Sequence, residues 1–249
     1  MIPTRAVLRR HRFARWEVGT FPTPGVLPFA ALLWLGLFAF IMAVTFAVDR
    51  WGEVDTSTWA QASQPIRWGV LFLGVWVVQT YLAAYIAHGV TRRSFAQRTA
   101  VFSVALAALV AGLSTLGFVV EGWIYDRRDW DQRISDGHLF TDADHLPTIF
   151  GTYLLVFLLW CSVGVLNAVA FYRHDGGWGL VTVPLSVLVV MVSEASLDGS
   201  YPGFVVEVAG FLEDIATPVG VALSAAGLVA VAGLTWGLLR DIPVRPKAA

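Results

Sequence analysis

The sequence has 249 residues, 57% hydrophobic and 14% charged, with a formal net charge of -1, and its mean hydropathy is +0.66. This composition excludes an ordinary soluble domain, in which about 25% of residues are charged, and the absence of a basic surplus excludes nucleic acid as a partner. A single cysteine, Cys161, sits inside an apolar run, so neither an intramolecular disulfide nor a thiolate metal cluster is expected.

The chain opens with Arg5, Arg9, Arg10, Arg12 and Arg15 interleaved with Val7, Leu8, Phe13 and Trp16. That pattern suits an amphipathic helix in the headgroup region over residues 1–26, with a basic anchor of no fixed structure as the alternative. No short apolar region with a small-residue cleavage site follows, so no cleaved signal peptide is expected. Six apolar runs, each long enough to cross ~30 Å of hydrocarbon, then occupy 27–48, 68–87, 100–120, 148–172, 180–196 and 219–239. Pro28, Pro65 and Pro147 stand near helix starts, and Thr217-Pro218 offers a cap followed by a proline. The predicted fold is therefore an all-α integral membrane protein with six transmembrane helices, one domain over 1–249, and no internal repeat.

Basic residues set the expected orientation. Twelve of the 17 lie in the N-terminal segment, the 88–99 and 173–179 loops and the tail, against five in the other three loops, where Arg50 and Arg67 fall between the first two spans. The positive-inside rule then puts both termini in the cytoplasm. Acidic residues divide oppositely, only Glu17, Asp175 and Asp241 lying inside, which gives the outer face a negative field.

The span interiors hold hydroxyls, Gln79 and Asn167, but no proton relay. Glu121 and Glu194 stand near the outer ends of spans. They read either as part of an outward gate, together with Glu207, or as interfacial residues in contact with water. A phosphate-binding loop requires a lysine after a glycine-rich turn, yet the only lysine is Lys247. This chain is thus not expected to be an enzyme or to bind a cofactor. An enzyme reading would rest on the 125–147 loop, where His138, Asp142, Asp144 and His145 match no established metal-ligand spacing. Gly112-Leu113-Ser114 lacks an intramembrane histidine base, so packing is its simpler role. Small residues at Ala107 and Ala111, at Ala222, Ala226 and Ala230, and at Gly233 and Gly237 favour close helix contacts.

One stretch carries a family likeness. Gly89-Val90-Thr91-Arg92-Arg93-Ser94-Phe95 resembles the Gly-x-Ser-Arg-Arg-x-Phe-like segment after the second span in permeases of the type-2 ATP-binding-cassette (ABC) transporter family. The resemblance implies a coupling helix that touches separate ABC ATPase subunits, which would hold ATP and Mg. It implies that Gly89 ends the second span, that Arg92 and Arg93 face the ATPase or lipid headgroups, and that Phe95 packs beneath the third span. It also implies a bacterial cell-membrane exporter that pairs with a second copy or a similar permease. The apolar stretch 204–212, too short to cross, would form short re-entrant helices before the last span, with a surface amphipathic loop as the alternative. Thr91 replaces the usual Ser, and the 125–147 loop is longer than is general in the family. Apart from a topological role for the basic loop, the alternatives are the membrane enzyme above and a stand-alone sensor or scaffold.

Overall fold

The computed structural model describes residues 23–52, 54–134, 139–140, 143–173, 177–197 and 217–242. The described residues form α1 (Thr23–Val48), the short α2 (Thr58–Gln61), α3 (Ser63–Ala87), α4 (Arg92–Asp126), α5 (Leu146–Arg173), α6 (Gly177–Leu197) and α7 (Thr217–Arg240). Six of these are long and apolar enough to cross a membrane, which is compatible with a multi-pass membrane protein. Most of the predicted segment 1–26, the stretch 204–212 and Glu207 lie outside the described residues.

α5 is the axis of the bundle. It packs against α3, α4, α6 and α7, and it is the most buried of the six long helices, whereas α1 and α7 are the least. The outer faces are apolar rather than polar: Leu32, Phe72, Val101, Leu180 and Val229 are all more than 60% exposed. Such a continuous apolar perimeter is costly against water and suits hydrocarbon.

Glycine permits the closest crossing in the bundle. A Cβ added at Gly74 of α3 would strike the Cys161 carbonyl of α5, and one added at Gly164 of α5 would strike the Leu71 carbonyl of α3. The two backbones therefore touch through reciprocal gaps, the device expected where dispersion rather than water exclusion drives helix association. Of the small residues singled out in sequence, Ala107 and Ala111 are fully buried. Gly233 and Gly237 instead have no neighbour within 4 Å of an added Cβ, and Ala222, Ala226 and Ala230 are exposed. The last helix thus turns its small-residue stripe away from this bundle.

α4 runs well beyond the predicted span 100–120 at both ends. Its first turns absorb most of the basic stretch that sequence reading treats as a loop. Only Gly89, Val90 and Thr91 remain between the His88 cap of α3 and the first residue of α4.

Candidate functional site

Two regions at opposite ends of α4 collect the functional side chains. At its start, Gly89 adopts φ +79°, a left-handed conformation that glycine takes at little cost. The Gly89 N–H donates to the Ile86 carbonyl and the Val90 N–H to the Tyr85 carbonyl, both at 3.0 Å. Together these bonds close the end of α3 in the manner of an αL-glycine cap. Thr91 then caps α4: its hydroxyl accepts from the Ser94 N–H at 3.2 Å, a role that serine and threonine share.

The structure assigns different surroundings to the two arginines. Arg92 donates to the Ile242 carbonyl from Nη2 at 2.8 Å and from Nε at 3.3 Å, which ties the start of α4 to the end of α7. Arg93 is exposed. Arg173 donates to the Leu238 carbonyl at 3.0 Å, which satisfies an orphan carbonyl in the last turn of α7, while Arg92 holds the chain just beyond it. Phe95 is buried in the first turn of α4 and meets the Tyr85 ring edge-on. Arg98 lies over the Tyr85 face at 5.9 Å. The turn is consequently held on both flanks, with Arg93 as its outward charge.

At the far end, Glu121 and Glu194 have relative exposures of 0% and 3%, which overturns the reading of them as interfacial residues in contact with water and leaves the gate reading untouched. Arg67, expected in the loop between the first two spans, instead belongs to α3 and is fully buried. The reason is mutual. Arg67 Nη1 donates to Glu194 Oε1 at 2.6 Å, Arg67 Nη2 to the Ser63 hydroxyl at 3.1 Å, and Trp160 Nε1 to the same Glu194 oxygen at 3.0 Å. A buried ion pair survives only when such additional bonds offset desolvation. This pair joins α3 to α6 beside Trp160, in the middle of α5.

Glu121 is held differently, by four neutral donors. They are the Ser57 hydroxyl at 2.5 Å, the Trp59 N–H at 2.8 Å, Gln132 Nε2 at 2.9 Å and the Thr58 hydroxyl at 3.2 Å. Ser57 also caps α2, and Trp59 lays its indole over Gly117 while donating to the Ser114 carbonyl at 2.9 Å. The carboxylate thereby folds the 57–61 segment into the end of the bundle.

The 125–147 loop is partly a plug. Ile134 and Phe140 are buried, and Phe140 meets the rings of Phe118 and Tyr153. Of the candidate metal ligands there, Asp144 and His145 are exposed, while His138 and Asp142 lie outside the described residues. Among the described residues no group of three His, Cys, Asp or Glu could hold a metal ion.

These features define a six-helix bundle of membrane-spanning proportions with a buried ionic tie at one end and a capped, arginine-bearing turn at the other. Comparison with family models, with curated proteins and with solved structures finds no match to this chain.

Proposed function

We propose that this chain is the membrane subunit of an ABC exporter in a bacterial cell membrane, working as a pair of permeases driven by separate ATPase subunits. The observation that carries this reading is the geometry of the arginine turn. Gly89 and Thr91 cap two helices within three residues, so Arg93 stands on the first turn of an uninterrupted α4. At ~1.5 Å per residue, such a helix is about 50 Å long. A push on Arg93 by a partner would therefore reach Glu121 without loss in a flexible loop.

In this reading the arginine turn is cytoplasmic, as the basic-residue distribution favours. The exposed Arg93 fork pairs with carboxylates on the ATPase, while Arg92 transmits the same displacement to α7. The buried Arg67–Glu194 pair closes the outer end in the resting state. ATP and Mg belong to the partner subunit, and this chain acts as transducer and pathway rather than catalyst.

The test is co-purification with a soluble ABC ATPase encoded beside this chain. Arg93→Glu should reduce association and stimulated ATP hydrolysis at least tenfold, since it places like charge against an acidic surface. Unchanged association and hydrolysis in that variant would refute the coupling role. Accumulation of solute by vesicles containing this chain alone would refute the dependence on an ATPase.

A further inference from the structure

A cleft of about 380 Å³ lies between α4, α5 and α7, close to the arginine turn. Ala96 and Ala100 of α4 form one wall, Ala232 and Trp236 of α7 the other, and Leu158 and Val165 of α5 the floor. Two of its hydroxyls are turned to the backbone: Ser103 donates to the Thr99 carbonyl at 2.9 Å and Thr235 to the Val231 carbonyl at 2.7 Å. The slot therefore offers mainly hydrocarbon contact. It opens sideways onto the apolar perimeter, where Ala100, Ala232 and Trp236 are exposed.

At its mouth the chemistry changes. Residues three and four apart share a helix face, so Arg93 and Gln97 continue the line of Ala100 and Val104 toward the start of α4. Both are exposed, and Gln97 lines the slot. On α7, Arg240 stands one turn beyond Trp236; it is exposed, with Asp241 holding its Nε at 2.9 Å and offsetting part of its charge. The Arg92 bond to Ile242 keeps these two helix ends together.

We propose that this cleft seats one acyl chain of an anionic phospholipid, with the phosphate between Arg93 and Arg240. Size and charge select the occupant. The cleft lies at the small end of ligand sites and is too small for a further helix, which is ~10 Å across. A zwitterionic lipid carries the same phosphate but brings its ammonium group beside the two guanidinium groups, whereas basic pockets between helices at a membrane surface favour headgroups of net negative charge. Arg93 is also the residue assigned above to the ATPase contact, so the phosphate holds it only while no ATPase is docked; the proposal concerns that state of the chain and stands or falls without any ATPase.

The experiment is native mass spectrometry of the full-length chain in detergent with dioleoyl phosphatidylglycerol or dioleoyl phosphatidylcholine, no ATPase being present. Phosphatidylglycerol should be retained preferentially, one molecule per chain. Arg93→Gln and Arg240→Gln should each reduce the preference about fivefold, and the double variant should hold both lipids equally. Ala232→Trp, which fills the slot from an exposed position, should lower retention of both lipids. Thermal unfolding in phosphatidylcholine verifies that each variant is folded, and the charge variants stand as a test without the tryptophan variant. Equal retention of the two lipids by the unaltered chain would overturn the proposal. So would a preference that survives the double variant but vanishes when Arg5, Arg9, Arg10, Arg12 and Arg15 are replaced by Gln.

Discussion

Arg67 and Glu194 meet at 2.6 Å, both almost wholly buried, across helices that pack on α5 rather than on each other. Removing one partner strands the other charge in a low-dielectric interior, a loss of about 3–5 kcal/mol. Replacing both by apolar residues removes the desolvation cost together with the attraction. Glu194→Leu alone should therefore lower the melting temperature in detergent sharply, and Arg67→Met with Glu194→Leu should recover most of it. A double variant as unstable as the single would show that the pair is not the source of the loss.

Glu121 should prove essential to the 57–61 segment rather than to the helices. Glu121→Leu leaves the Ser57 and Thr58 hydroxyls, the Trp59 N–H and the Gln132 amide without their shared acceptor. Gln132 keeps the Phe118 carbonyl and Thr58 keeps Thr45 and Tyr125, so the loss falls on the buried Ser57 hydroxyl and Trp59 N–H, at about 1–3 kcal/mol each, although not additively. Hydrogen exchange should then accelerate at least tenfold at residues 57–61, while the middle of α5 stays protected. Equal acceleration in both places would mean that Glu121 supports the whole bundle.

The six long helices were legible in sequence because the apolar run of a span is a local property, readable without knowing any neighbour. Helix ends were less so: 92–99 looks like a loop by polarity, yet Thr91 caps it and Phe95 buries it. The ionic tie was hidden for a different reason. Arg67 and Glu194 are 127 positions apart, and each alone looks like an ordinary charge at a span end. Only the packing of α3 and α6 around α5 brings them together. Gly74 escaped for the same cause, since Val70 and Val78 flank it at helical spacing, whereas Gly164 and Ala168 have the same four-residue spacing as Ala107 and Ala111 and were legible as a small-residue pair.

Those two glycines should tolerate no side chain. A Cβ at Gly164 meets the Leu71 backbone carbonyl, and one at Gly74 meets that of Cys161. Backbone cannot swing aside as a rotamer does, so α3 and α5 must separate along their whole contact. Overpacking of this kind costs about 1–3 kcal/mol or more. Gly164→Val should destabilise strongly, whereas Gly233→Val on the open face of α7 should leave the melting temperature of the isolated chain nearly unchanged. Similar losses from the two variants would contradict the reciprocal-gap packing.

The turn at Gly89 offers the finest test of local geometry. Its φ of +79° strains any residue with a Cβ, at about 1–2 kcal/mol, and Gly89→Ala has open space around the added methyl, so conformation alone should account for the loss. Thr91→Ala should cost about 1 kcal/mol more by removing the cap of α4, and Thr91→Ser almost nothing. Because the two caps lie on opposite sides of Val90, their effects should separate in hydrogen exchange, Gly89→Ala loosening the last turn of α3 and Thr91→Ala the first turn of α4. If both variants loosen both helices equally, the turn unfolds as one unit, and the two caps do not hold their helices independently.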